Sequence, residues 1–256
     1  MKLPKSTVLL IAIAIMLAAL SALCGAVVHV SADPELYGNE SRLAVAKYLG
    51  REVGQEGLSE LDETAVTKYV GLSREEQEDV AWKFALNVRL PGATFADFDI
   101  LNEREQQHMR DVRDLIVLAD RVSQASAFVA ALLVVAAAWT GAGLAHRART
   151  GLLGALCGMG ALALIAGAFL LAMNTAGFER LFVLMHQTLF ANDLWLLNPS
   201  TDILIRMMPQ PLFEMALGSV LRGALARFGV VLALLTAAHL IIGGIVRRNL
   251  TEREQA

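Results

Sequence analysis

The sequence predicts an all-α membrane protein: four transmembrane helices, a mainly helical extracytoplasmic segment between the first and second, and an amphipathic outer segment between the third and fourth. Three observations predict it. Hydrophobic residues make up 55% of the 256-residue chain, and a mean hydropathy of +0.51 is too apolar for an ordinary water-soluble domain. Four runs, at 8–30, 125–145, 152–173 and 228–246, are long enough to cross a bilayer. About 20 residues at about 1.5 Å rise each cover the ~30 Å hydrocarbon layer, where unpaired backbone amides are forbidden and helices follow. Basic residues also gather on one side: Lys2 and Lys5 before the first run, Arg147 and Arg149 between the second and third, Arg247, Arg248 and Arg253 after the fourth. That bias puts these flanks and both termini in the cytoplasm. Arg180, Arg206, Arg222 and Arg227 on the other side make the bias moderate.

Residues 1–30 hold the first span. Its apolar run exceeds the roughly 7–15 residues of a secretory signal, so it reads as a retained helix although Val30-Ser31-Ala32 offers small residues for cleavage. Leu23 before Cys24 is too large for a lipid-attachment box. Cys24 and Cys157 lie towards opposite faces of the membrane without charged neighbours, which predicts packing thiols and no disulfide.

The segment 31–124 carries 19 acidic against 11 basic residues, a net of −8, which argues against nucleic acid as a partner. Ser73-Arg74-Glu75-Glu76 has the form of a capping box, so a helix runs from there to about Asn87 and breaks at Leu90-Pro91-Gly92. Thr94 to Ile100 reads as a short strand or an extended loop. From Asn102 the pattern is helical into the second span, 125–145. On that helix Glu105, His108, Val112 and Leu115 share a face, and Asp111 follows His108 by one turn, so a carboxylate is placed to hold an imidazole nitrogen and fix its tautomer. Surface salt-bridge chemistry is the plainer reading of the same charges. The 17 residues from His108 to Ala125 correspond to roughly 25 Å of helix, which sets His108 above the bilayer unless the helix tilts or breaks.

After the third span, 152–173, the outer segment 174–227 is unusually apolar. Phe178, Leu181, Phe182, Met185, Leu189, Phe190 and Trp195 form a stripe suited to a helix lying in the interface, with His186 beside it and Asp193 two turns on. Asn198-Pro199 forces a turn, and Ser200, Thr201 or Asp202 then caps a short helix ending near Pro209 and Pro211. An interfacial anchor is the plain reading of Trp195, and a cap that of Asp202. The fourth span, 228–246, and a cytoplasmic tail, 247–256, complete the chain. His29, His146 and His239 compete for attention; His239, inside the fourth span, is a candidate functional group by depth, with a hydrogen bond to a neighbouring helix as the simpler account.

Two segments stand out: NEREQQHMRDV around His108, and FxxxHxxxFxNDLWxLxPxxD around His186, followed by ILIRMMPQPLF. With the layout of spans, they resemble the lipoprotein intramolecular transacylase family of bacterial integral membrane proteins. The resemblance implies a substrate, the diacylglyceryl-modified N-terminal cysteine of a diacylated bacterial lipoprotein, and a reaction that moves its sn-2 acyl chain to the cysteine α-amino group, leaving a lyso glycerol moiety. It implies the bacterial cytoplasmic membrane, a site on its extracytoplasmic side, membrane lipids as surroundings, and no cofactor or external acyl donor. His108 and His186 are the catalytic histidines it points to, with Glu105, Asp111, Asn192, Trp195 and Asp202 orienting them or seating the substrate. The chemistry suits these residues. Attack of the amine on the ester closes a ring of about eight atoms, so a folded substrate gains much of the rate from proximity. An amine with a pKa of about 7.7–8 needs a base, which an imidazole near about 6.5 supplies. No Ser-His-Asp or Cys-His signature competes. Two other classes remain: a metal-binding membrane sensor or transporter with His108, His186, Asp111 and Asp202 as ligands, which lacks any HxxxH, HExxH or CxxC spacing, and a purely structural assembly factor.

Overall fold

A computed structural model describes residues 5–50, 63–96, 98–139 and 177–254. Among them every regular element is helical: α1 (Lys5–Ser31), α2 (Pro34–Tyr37), α3 (Asn39–Tyr48), α4 (Glu63–Val70), α5 (Arg74–Asn87), α6 (Glu103–Ala138), α7 (Phe178–Leu189), α8 (Ile203–Met207) and α9 (Gln210–Glu254). Three of these, α1, α6 and α9, are long and apolar enough to cross a membrane, and they overlap the expected spans at 8–30, 125–145 and 228–246, of which positions 140–145 lie outside the described residues. The expected span at 152–173 lies outside the described residues, as do His146 and Cys157. Thr94 to Ile100, open between strand and loop in the sequence, forms turns and bends at its described positions. α9 runs unbroken for 45 residues through position 228. Pro211 sits at its start, where a missing amide hydrogen costs nothing, and the glycines at 218, 223 and 229 are tolerated within it.

The chain divides into two compact units. In the first, α1 to Ala26 packs with α6 from Asp120 and α9 from Leu221. The contact face of α1 is a row of small residues four apart, Ala14, Ala18, Ala22 and Ala26, each at most 2% exposed. Small side chains let helices approach closely where no hydrophobic drive exists in lipid. Ala18 and Ala22 pack on Phe228 and Leu232, and Ala14 on Ala130 and Val134. A reciprocal clasp joins α1 to α6: Ser21 Oγ donates to Ser123 O (2.8 Å) and Ser123 Oγ to Ser21 O (2.9 Å). His239 is buried in α9 and lines a small apolar cavity with Ala14, Leu232 and Thr236.

The second unit holds α2 to α5, the first part of α6, α7, α8 and the start of α9 around its own core. Phe84 is fully buried there against Tyr37, Phe95 and Phe98, with ring centroids 4.8–5.9 Å away. α5 has the expected bounds and the expected cap: Glu76 N–H donates to Ser73 Oγ (3.3 Å), and Ser73 N–H to Glu76 Oε2 (2.7 Å). Ser41 Oγ donates to Met207 O, and Arg206 Nη1 to Tyr69 O (3.2 Å), so α8 is tied to the core formed by α3 and α4.

Candidate active site

The site forms in the second unit, where the polar start of α6 meets α7 and the loop 190–202. α6 opens with its own reciprocal cap: Glu105 N–H donates to Asn102 Oδ1 (3.0 Å), and Asn102 N–H to Glu105 Oε2 (2.9 Å). The Asn-x-x-Glu spacing carries that signal in the sequence, with Asn in the role usually given to Ser or Thr. Glu105 is 1% exposed, and its second oxygen accepts the amide of Leu204 (2.7 Å), two residues into the start of α8. One carboxylate thus caps two helices. Burial pushes its pKa up, opposed by the Leu204 and Asn102 amides and aided by the charge of Asp202.

Asp202 sits at the N-cap position of α8 but bonds no amide of that helix, which corrects the capping role expected for it. Its oxygens turn outward and accept the Asn198 amide (2.7 Å), the Thr201 hydroxyl (2.9 Å) and the Asn102 side-chain amide (2.9 Å). Burial works against its charge, yet these bonds and the nearby Arg104 guanidinium hold the pKa below the usual carboxylate value. Two further ties join α6 to the loop. Asn192 Nδ2 donates to Asp111 Oδ2 (2.9 Å), and Arg104 Nη2 to the Asp193 carbonyl. Nothing in the sequence marks Asn102 and Arg104 for these roles; side chains bridging some ninety to a hundred positions leave no local pattern.

These ties frame the two histidines. His108 from α6 and His186 from α7 lie with ring centroids 6.0 Å apart, inside the roughly 10 Å that contact through one substrate requires. Both are buried, at 7% and 6% exposure. Phe190 sets its edge against His108 (5.1 Å) and stacks on His186 (5.4 Å); Phe182 (4.0 Å) and Trp195 (5.0 Å) close on His186. Phe182 and Phe190, part of the stripe that reads as interfacial in the sequence, are therefore walls of the site.

The two rings are chemically unlike. His186 Nδ1–H donates to the Phe182 carbonyl (2.8 Å), which can only accept, so the neutral ring carries its lone pair on Nε2. Burial lowers its pKa and the Phe182 carbonyl opposes that. His108 Nδ1 is buried with no hydrogen-bond partner among the described residues. Burial first, then the neighbouring His186, push its pKa down to about 4, against the pull of Asp111. Neither Glu105 nor Asp111 hydrogen-bonds an imidazole, contrary to the expected carboxylate–histidine pairing. Glu105 is occupied by helix amides, and Asp111 by Gln107 and Asn192. The same engagements leave the metal quartet unformed: among the described residues no three His, Cys, Asp or Glu side chains come together as a ligand set.

The family model described as lipoprotein intramolecular transacylase Lit matches residues 58–213, the stretch that contains every one of these side chains. Among solved structures, the chain is similar to the membrane integral lipoprotein intramolecular transacylase Lit from Bacillus cereus, with a TM-score of 0.62 and 17% identity over 97% of each chain. A mutant form of that protein matches with a TM-score of 0.61 and 18% identity, over 91% of this chain and 90% of the other. At such identities the likeness speaks for the fold. No curated protein matches the chain.

Proposed function

The chain belongs to the lipoprotein intramolecular transacylase family, whose model covers well over half its length, and from that premise we propose how its own residues carry the acyl transfer. The substrate is a diacylated lipoprotein, and the sn-2 acyl chain moves to the α-amino group of its N-terminal cysteine. His186 is the base. Its lone pair on Nε2 is free, its Nδ1–H is held by a carbonyl that favours the imidazolium, and it stands in the last turn of α7, where the helix dipole favours a cation by about 0.3–1 kcal/mol. His108 is the partner that stays neutral and donates a hydrogen bond to the oxygen gaining charge, the role suited to an imidazole that resists protonation.

The steps balance within one substrate molecule. The amine nitrogen attacks the ester carbonyl while its proton passes to His186 Nε2. The carbon–oxygen bond to glycerol breaks, and the proton returns from His186 to the glycerol oxygen. Ester and amine become amide and alcohol; the product is an isomer of the substrate. Holding amine and ester together is where most of the acceleration lies, since an intramolecular attack replaces a bimolecular one. Phe182, Phe190 and Trp195 exclude water around the imidazoles, and Asn102, Glu105, Asp111, Asn192 and Asp202 fix the loop that carries Trp195. The protein lies in the bacterial cytoplasmic membrane with four spans, both termini inside and the site outside, surrounded by membrane lipids. No cofactor takes part.

The observation that carries this reading is the 6.0 Å approach of two buried, unlike imidazoles. It is tested with purified protein and a synthetic diacylated lipopeptide whose sn-2 chain alone is isotopically labelled, in unlabelled phospholipid. Mass does not change in an isomerisation, so fragmentation of the product locates the chain. The label should appear on the cysteine nitrogen; an unlabelled acyl group there, drawn from phospholipid, would contradict the reading.

A further inference from the structure

Resting on the proposed transfer between His108 and His186, we propose that the exposed apolar row of α7, centred on Met185 and Leu189, seats the acyl chain of the lipoprotein substrate and leads it to His186. α7 has two unlike apolar surfaces. One is closed: Phe178 and Phe182 meet Phe213, with ring centroids 6.2 and 5.3 Å away, and His186 is buried beside them. The other is open: Met185 is 42% exposed and Leu189 49%, with Leu184 (59%) and Leu196 (54%) nearby in sequence. Leu189 lies one turn beyond His186 and Met185 immediately before it, so the open row runs along the edge of the helix on which the base is mounted.

The neutrality of the row fits an acyl chain. No charged side chain occurs from Leu181 through Asn192, whereas Glu179, Arg180 and Asp193 stand at either end. The reaction requires an ester carbonyl at the histidine pair, and the aliphatic chain bonded to that carbon must leave along whatever surface adjoins the base. An aliphatic row left uncovered by the protein there favours an apolar occupant, and an acyl chain laid on it keeps apolar surface of both partners away from water. Continuity with the reacting atoms selects the substrate's chain over bulk lipid, which has no reason to end at His186.

Photoreactive benzoylphenylalanine placed at Met185, Leu189 or the exposed Gln187 of the full-length protein, in membranes containing a co-expressed lipoprotein, tests this directly. A His186→Gln background holds substrate in place. Irradiation should crosslink the lipoprotein from positions 185 and 189 several times more than from 187. Adducts to phospholipid alone would assign the row to the bilayer and overturn the proposal, as would adducts to a second copy or equal yields at all three positions. With His186 intact, Leu189→Glu should cut N-acyl product about tenfold or more, because an unpaired charge opposes apolar contact, while Gln187→Glu, off the row, retains it. Full activity of Leu189→Glu also overturns the seat. Failure of the catalytic reading is separable: histidine variants that still transfer the acyl chain refute that reading, whereas the crosslinks report the seat alone.

Discussion

His108 is the residue whose chemistry departs furthest from an ordinary side chain. An imidazole with a pKa near about 6.5 in an unfolded chain is half-charged at mildly acidic pH. In the fold, burial and the neighbouring ring hold His108 neutral down to about pH 4. The sign of the consequence follows by linkage. Between these two values the unfolded chain binds a proton that the native chain does not. Stability is therefore fullest above pH 6.5 and declines as pH falls through that window towards 4. Histidine-selective NMR at pH 5.5 should find His108 as neutral imidazole; titration with a midpoint at the unfolded value would refute the desolvated site. Catalysis should lose rate on acidification too, as His186 takes up its proton and the substrate amine stays an ammonium. What the sequence offers at this scale is the pair of histidines. Their unequal electrostatics depend on which backbone carbonyl and which rings surround each, and no spacing in the sequence encodes that.

Helices and loops are held by side chains serving more than one of them. Glu105 is the clearest case, capping α6 and α8 at once. Glu105→Gln would leave one oxygen for two amides and turn a donor towards one of them, at a cost of about 1–3 kcal/mol for the buried group left unpaired. The expected outcome is a lower melting temperature together with an activity loss smaller than that of either histidine substitution, measured on the same purified variant; an unchanged melting temperature would remove Glu105 from this role. The local half of the network is legible in the chain: the Ser73 cap and the end of α5 near Asn87 follow from spacing alone. The long-range half is not. A short polar residue before a helix points to a cap, yet the Asp202 oxygens are taken by Asn198, Thr201 and Asn102, and Glu105 fills the vacated role from 99 positions away. The unbroken course of α9 past 228 also escapes hydropathy, which marks where lipid begins and not where a helix does.

Across the whole molecule, three membrane-length helices among the described residues accompany a unit with its own core, and the basic flanks are the basis of the proposed orientation. On the proposed orientation, with both termini inside, Glu103→Cys should react with an impermeant thiol reagent added from outside and Thr150→Cys should not; the opposite pattern would invert the site to the cytoplasm. The hydropathy of the spans, the two histidine segments and the helical class can be read from the chain. Shared chemistry makes the 6.0 Å meeting of residues 78 positions apart an expectation, but its geometry depends on how α7 and the loop after it pack on α6, which no local pattern records. That meeting is the centre of the account. Its most direct test is the yield of N-acylated lyso-form product, located by fragmentation of the N-terminal lipopeptide, in His108→Gln and His186→Gln beside a Cys24→Ser, Cys157→Ser double variant. Each histidine variant should fold, insert and lose about 10²–10⁴-fold in rate, the usual contribution of a positioned acid or base, while the thiol-free protein stays active. Histidine variants that keep the product while the thiol-free protein loses it would contradict the account and assign the transfer to a cysteine acyl-enzyme.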